Sequence, residues 1–177
     1  MKEALKQMVL ESVYKGQVKL ASGHVSDFYI DGRQVTLRSV GAYYIACLMA
    51  EVLETVEYEA VGGPTMGADP IVGALCYHLF ATKKKDIAAF IVRKETKGHG
   101  LQKLIEGPAF RQGQRVVIVE DVVTSGGSII KAARAIEAAG GTIVKVLALV
   151  DREEGAQQTL SESGYDFKAL FTRSELE

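Results

Sequence analysis

Residues Val116–Ser128 read VVIVEDVVTSGGS. Four apolar residues, Val116 to Val119, run into two adjacent acids, Glu120 and Asp121. Val122 and Val123 follow, then a turn of small and hydroxyl residues, Thr124, Ser125, Gly126, Gly127 and Ser128. The pattern beyond is helical. The stretch predicts a buried strand that ends in a phosphate-binding turn at a helix N-terminus, where hydroxyls and backbone N–H groups hold the phosphate and the helix dipole favours its charge. A plain helix cap by Thr124 or Ser125 accounts for the hydroxyls and glycines. It does not account for two acids at the end of an apolar strand, where charge is costly without a partner. Neither the G-x-x-x-x-G-K-[ST] loop nor the G-x-G-x-x-G fingerprint is present. Acids directly before the turn put carboxylates within reach of a sugar carrying that phosphate.

Working outward, residues 2–14 carry a helical stripe of Leu5, Met8, Val9 and Val13, with Gly16 as its end. Val18 and Leu20, a Ser22-Gly23 turn and FYIDGR predict a hairpin or a pair of short strands. Residues 39–57 are helical on Ile45, Leu48, Met49 and Val52. Ala60-Val61 enters a glycine turn, GGPTMGADP, and a helix through Ile71, Leu75 and Leu79 follows. Residues 86–92 form the next strand, 93–114 a long polar segment, and 115–120 the opening strand. Then come a helix over 127–139, a strand over 142–150, a short helix near 156–163 and a possible edge strand over 167–171. Continuous apolar strands alternating with amphipathic helices predict an α/β fold, a central parallel sheet flanked by helices. Ligands bind such sheets beyond the carboxyl ends of the strands.

Length and charge narrow the function. At 177 residues the chain fits one domain. We expect N-terminal elements over about 1–36 and a core over about 37–177. A net charge of −1 disfavours a non-specific nucleic-acid or membrane-surface binder. Cys47 and Cys76 lie in apolar helical patterns without metal-ligand spacing, as inert thiols of a reducing compartment. The N-terminus lacks the h-region of a signal peptide, and no apolar run reaches membrane-spanning length. The expectation is a cytoplasmic protein.

Two more segments carry charge where chemistry would use it. In RKETKGHG, Arg93, Lys94, Lys97 and His99 gather beside Gly98 and Gly100. A generic loop of this kind is a solvated surface. Following a core strand and flanked by glycines, it reads as a cationic lid that closes over a polyanion and excludes water. Arg152, in DREEG after the 142–150 strand, is placed to clamp a carboxylate bidentately. A surface ion pair with Glu153 or Glu154 is the competing reading.

The run Glu120 to Ser128 resembles the phosphoribosyl diphosphate (PRPP) signature of type I phosphoribosyltransferases. RKExKxHG resembles the catalytic loop of the orotate members in particular. Leu20-x-Ser22-Gly23-x-x-Ser26-x-Phe28-Tyr29-Ile30-Asp31-x-Arg33 resembles the segment that lies along the pyrimidine in the same enzymes. The resemblance spans about residues 18–155, and it implies the type I phosphoribosyltransferase fold with a small N-terminal hood.

The roles that follow are what the resemblance implies. Glu120 and Asp121 hold the ribose hydroxyls, and Val122, Val123, Thr124, Ser125, Gly126, Gly127 and Ser128 hold the 5′-phosphate. Arg93, Lys94, Lys97 and His99 meet the diphosphate, with Lys97 the most costly single loss. Thr65, Met66, Gly67 and Ala68 cradle the diphosphate by their backbone. Thr124, Arg152, Tyr29 and Ile30 contact orotate. Mg²⁺ is the expected cofactor, held by substrate and water oxygens, with no protein side chain assigned to it. Homodimers with lids acting in trans are expected, the partners otherwise being the small molecules PRPP and orotate, without nucleic acid or membrane. Many bacterial members carry lysines where this chain has Ala21 and Met66. The alternatives are a purine phosphoribosyltransferase and a non-catalytic PRPP-binding regulator of the same fold.

Overall fold

The computed structural model describes residues 1–19, 25–95 and 104–177. Helix α1 (Lys2–Glu11) buries Leu5 and Val9. It stops short of the predicted residue 14 because β-branched Val13 already belongs to an extended segment, β1 (Val13–Lys19), so Gly16 lies inside a strand and does not end a helix. β1 pairs antiparallel with β2 (Val25–Ile30) in a two-stranded sheet of its own. The Ser22-Gly23 turn lies outside the described residues. A single-turn helix, α2 (Arg33–Thr36), too short to show a period in the sequence, leads into α3 (Ser39–Val52).

The main layer then builds in βα units. Its elements are β3 (Ala60–Pro64), α4 (Ala68–Lys83), β4 (Ala88–Val92), β5 (Ile105–Glu106), β6 (Gln114–Val123), α5 (Gly127–Ala138), β7 (Gly141–Asp151), α6 (Ala156–Glu162), β8 (Phe167–Thr172) and α7 (Arg173–Leu176). The sheet order is β5-β4-β3-β6-β7-β8, parallel except for β5 against β4, and β8 is an edge as expected. β5 was hidden in the sequence, since two residues have no periodicity. It brings the return limb of the polar 93–114 segment back onto β4, with Val92 opposite Ile105 and the Arg93 amide donating to the Leu104 carbonyl at 2.8 Å.

Strand alternation explains the continuous apolar runs. On β6, Val117 and Val119 enter one core cluster with Leu5, Ile45, Ile71 and Leu75, while Val116 and Ile118 enter another with Ile129, Ile136 and Leu160. α1, α3 and α4 therefore cover one face of the sheet, and α5 and α6 the other. Each large aliphatic side chain so buried contributes roughly 1.5–3 kcal/mol. β6 also runs three residues past its predicted end. Glu120 pairs with Ala148 and Val123 with Asp151, so the two acids are strand residues at the carboxyl end. Among the described residues no helix is long and apolar enough to cross a membrane.

Candidate active site

The carboxyl ends of β3, β4, β6 and β7 open onto one cleft of about 1590 Å³. It gathers Thr65, Met66 and Gly67 after β3, Arg93 and Lys94 after β4, Glu120, Asp121, Val122, Thr124 and Ser128 from β6 and its turn, and Arg152 after β7. Tyr29 and Ile30 close it from β2. Segments from Tyr29 to Arg152 thus meet at one place, at the end of the sheet where parallel folds bind ligands. Ala68 and the Val123 side chain belong instead to the core. Lys97, His99 and Ala21 lie outside the described residues.

The acid pair is the most constrained part. Glu120 is buried, and burial pushes its carboxyl well above the usual value of 4.5; the negative charge of Asp121, and more weakly that of Asp69, push the same way. Asp121 is half-buried and its Oδ1 accepts the Val122 amide at 2.7 Å. Gly67 backs onto both carboxylates: a Cβ there would lie 2.3 Å from Asp121 Oδ1 and 2.3 Å from Glu120 Oε1. The β3 turn and the acid-bearing strand therefore touch through a missing side chain.

The turn between β6 and α5 is organised by Gly126, whose φ of 82° suits glycine and makes it the N-cap of α5. No side chain caps this helix. Thr124 and Ser125 leave its first amides without a side-chain acceptor, so the simple capping alternative does not hold, and Thr124 faces the cleft. In the β3 turn, the Thr65–Met66 peptide is cis. The Thr65 amide donates to the Val92 carbonyl at 2.9 Å, and its hydroxyl to Asp69 Oδ2 at 2.8 Å. Asp69, on the first turn of α4, was not singled out in the sequence, where it reads as an ordinary N-terminal helix acid.

Arg152, expected as a carboxylate clamp with a surface ion pair as the competing reading, combines features of both. It does pair with Glu154, at 2.6 Å, yet it is only 3 % exposed. Its amide donates to the Val123 carbonyl at 2.9 Å, which ties the end of β7 to the end of β6. The turn that carries it is fixed from two sides. Asp151 Oδ1 accepts the Glu153 amide at 2.8 Å, and the Glu153 carboxylate accepts the Ser174 amide at 2.7 Å and hydroxyl at 2.5 Å. The C-terminal helix α7 thus braces the cleft, a link that spacing in the sequence cannot show. Arg33, the last residue of the segment that resembles the one lying along the pyrimidine, is a second cation here; its Nε donates to Asp31 Oδ1 at 2.9 Å. Among the described residues no group of three or more His, Cys, Asp or Glu side chains is placed to hold a metal ion.

Residues 43–168 match the phosphoribosyl transferase domain family. The chain is 46 % identical over 164 residues to the orotate phosphoribosyltransferase of Rhodopseudomonas palustris, covering 91 % of this chain and 87 % of that one. The chain belongs to the orotate phosphoribosyltransferase family. A crystal structure of the Mycobacterium tuberculosis orotate phosphoribosyltransferase with Fe(III) dicitrate superposes with a TM-score of 0.85 at 38 % identity, covering 99 % of this chain and 98 % of that one. A structure of the same enzyme with 5-phospho-α-D-ribosyl 1-diphosphate superposes at 0.81 with 33 % identity, over 99 % and 98 % of the two chains. Met66, assigned with Thr65 and Gly67 to the turn after β3, lines this cleft and is 62 % exposed.

Proposed function

We propose that this chain converts orotate and PRPP to orotidine 5′-monophosphate and diphosphate, a step of pyrimidine nucleotide synthesis. The observation that carries the reading is the uncapped start of α5 lying in one cleft with Glu120, Asp121 and the buried Arg152. A phosphate, a sugar and a carboxylate-bearing base each find a matching group there. A purine base offers Arg152 no carboxylate, and this disfavours the purine alternative.

The roles follow from chemistry. The amides and hydroxyls of 124–128 hold the 5′-phosphate. Glu120, which keeps its proton to higher pH than an ordinary carboxyl, donates to a ribose hydroxyl while the Asp121 carboxylate accepts from one. As the bond from C1 to diphosphate lengthens, positive charge grows on the sugar, and a carboxylate fixed beside it stabilises that charge. Thr65, Met66 and Gly67 offer backbone to the diphosphate, and Arg93, Lys94, Lys97 and His99 meet it as it leaves. Arg152 and Thr124 orient orotate against Tyr29 and Ile30. Mg²⁺ would arrive with the substrate, held by diphosphate, ribose and water oxygens. When bound, that ion neutralises diphosphate charge. Residues 1–36 act as a hood on a core over 37–177 within one domain, and the enzyme works as a cytoplasmic homodimer with lids shared in trans. The test is loss of orotate absorbance in the presence of PRPP and Mg²⁺; turnover of adenine or hypoxanthine without turnover of orotate overturns the assignment.

A further inference from the structure

We propose that Arg33 is a fixed cation for the α-phosphate of the PRPP diphosphate. This rests on PRPP being the donor, as argued above.

Position comes first. Arg33 opens α2 and lines the cleft with Tyr29 and Asp121. Its neighbour Gly32 is pressed onto the acid strand: a Cβ at residue 32 would lie 2.9 Å from both Cβ and Oδ2 of Asp121. Two glycines therefore approach Asp121 closely, Gly67 at Oδ1 and Gly32 at Cβ and Oδ2. The Cα of Arg33 is one peptide, about 3.8 Å, beyond that contact.

Orientation comes next. Asp31 Oδ1 accepts both the Arg33 Nε at 2.9 Å and the Arg33 amide at 3.3 Å. This two-point hold fixes the guanidinium by its inner nitrogen. Among the described residues the two terminal nitrogens take no protein acceptor, and the side chain is 43 % exposed. A half-exposed arginine with its fork presented to a cleft is built for a planar or tetrahedral oxyanion. The charges of Asp31 and Asp121 both favour its protonated form.

The substrate supplies the last step. In an α-ribosyl diphosphate, the diphosphate at C1 projects from the same face of the ring as the 2- and 3-hydroxyls. A carboxylate that takes those hydroxyls lies under that face, and a cation beside the carboxylate lies beside the α-phosphate. Arg33 has that relation to Asp121. Of the other described cations lining the cleft, Arg93 is tied to Glu106 at 3.5 Å and Arg152 to Glu154 at 2.6 Å, while Lys94 and Lys131 are exposed on the stem after β4 and on α5.

The experiment compares the full-length wild type with R33Q, R33K and D31N. PRPP and diphosphate binding are measured by calorimetry without orotate, followed by steady-state kinetics and thermal melting. R33Q should weaken PRPP and diphosphate about 10- to 100-fold, the span of one or two charge-assisted hydrogen bonds, and leave KM for orotate within about twofold. R33K should recover part of the loss. D31N, which only unfixes the guanidinium, should fall between. If R33Q melts early, R33K and D31N still read the effect. Unchanged diphosphate binding in folded R33Q or D31N overturns the proposal, as does a rise in KM for orotate alone. Wild type that binds no PRPP overturns the donor assignment too. Wild type that binds PRPP without consuming orotate overturns only the choice of base.

Discussion

Gly67 and Asp121 are in contact only because residue 67 has no side chain: a Cβ would meet Asp121 Oδ1 at 2.3 Å. The obstacle is a carboxylate oxygen held by the Val122 amide, so it cannot swing aside freely. Gly67→Ala should therefore displace either the β3 turn or the acid pair. A displacement of about 1 Å costs on the order of 100-fold in kcat/KM. Steady-state kinetics with a melting curve checks this, and activity within threefold of wild type would show that the turn yields without consequence.

Glu120 sets a pH signature. Its folded value is raised above the unfolded 4.5, chiefly by burial. Its contribution to stability is therefore fully present below about pH 4.5 and is lost as pH rises through the raised folded value. Glu120→Gln removes that loss. The variant should melt higher than wild type at pH 8, by roughly 2–4 °C for each kcal/mol regained, and the difference should vanish toward pH 4. Its activity should fall. Melting curves across pH decide the matter, and parallel curves for the two proteins would contradict it.

Lys97 lies in the glycine-flanked segment after β4. Lys97→Ala should lower kcat by about 100- to 1000-fold, the cost of removing one donor to a departing oxyanion, with orotate binding unchanged. Mixing Lys97→Ala with Asp121→Asn protein tests the lid in trans. A random mixture of dimers should regain about a quarter of wild-type activity, through one competent site per hybrid. No recovery on mixing would place the lid in its own subunit's site.

Arg152 and Ser174 should act on the base alone. Arg152→Ala should raise KM for orotate on the order of 100-fold, the worth of a charged bidentate contact, with KM for PRPP little changed. Ser174→Ala frees one of the two bonds that hold Glu153, and should raise KM for orotate about 2- to 10-fold through a looser turn. An equal rise in both KM values would mean that the C-terminal brace serves the whole cleft.

What could be read from the sequence was what repeats or what reacts. Periodicity located the sheet and its covering helices, and the run from Glu120 to Ser128 marked the strand end and turn that border the cleft. What escaped was relational. β5 is too short for a period and exists only because β4 is beside it. Val13 fits a helical stripe and a strand equally, and the pairing with Ile30 decides for the strand. The tie from Glu153 to Ser174 that braces the Arg152 turn joins residues 21 apart in the chain, which no local spacing reveals. Arg33 and Asp69 are ordinary in composition, and their interest lies in which atoms they face. Lys97, His99 and Ala21 lie outside the described residues, so their reading stands on sequence alone.

The bond from the Arg152 amide to the Val123 carbonyl has an evolutionary side. The group that would recognise the base stands at the end of one strand, and the groups that would recognise the sugar phosphate stand at the end of its neighbour. Backbone pairing holds the two strand ends at the interstrand spacing, about 4.8 Å, whatever the side chains are. A lineage can then exchange the residue that follows β7 and so adopt another base, while the neighbouring strand passes on the sugar-phosphate grip intact. On such a scaffold the choice of acceptor is free to diversify and the donor is inherited.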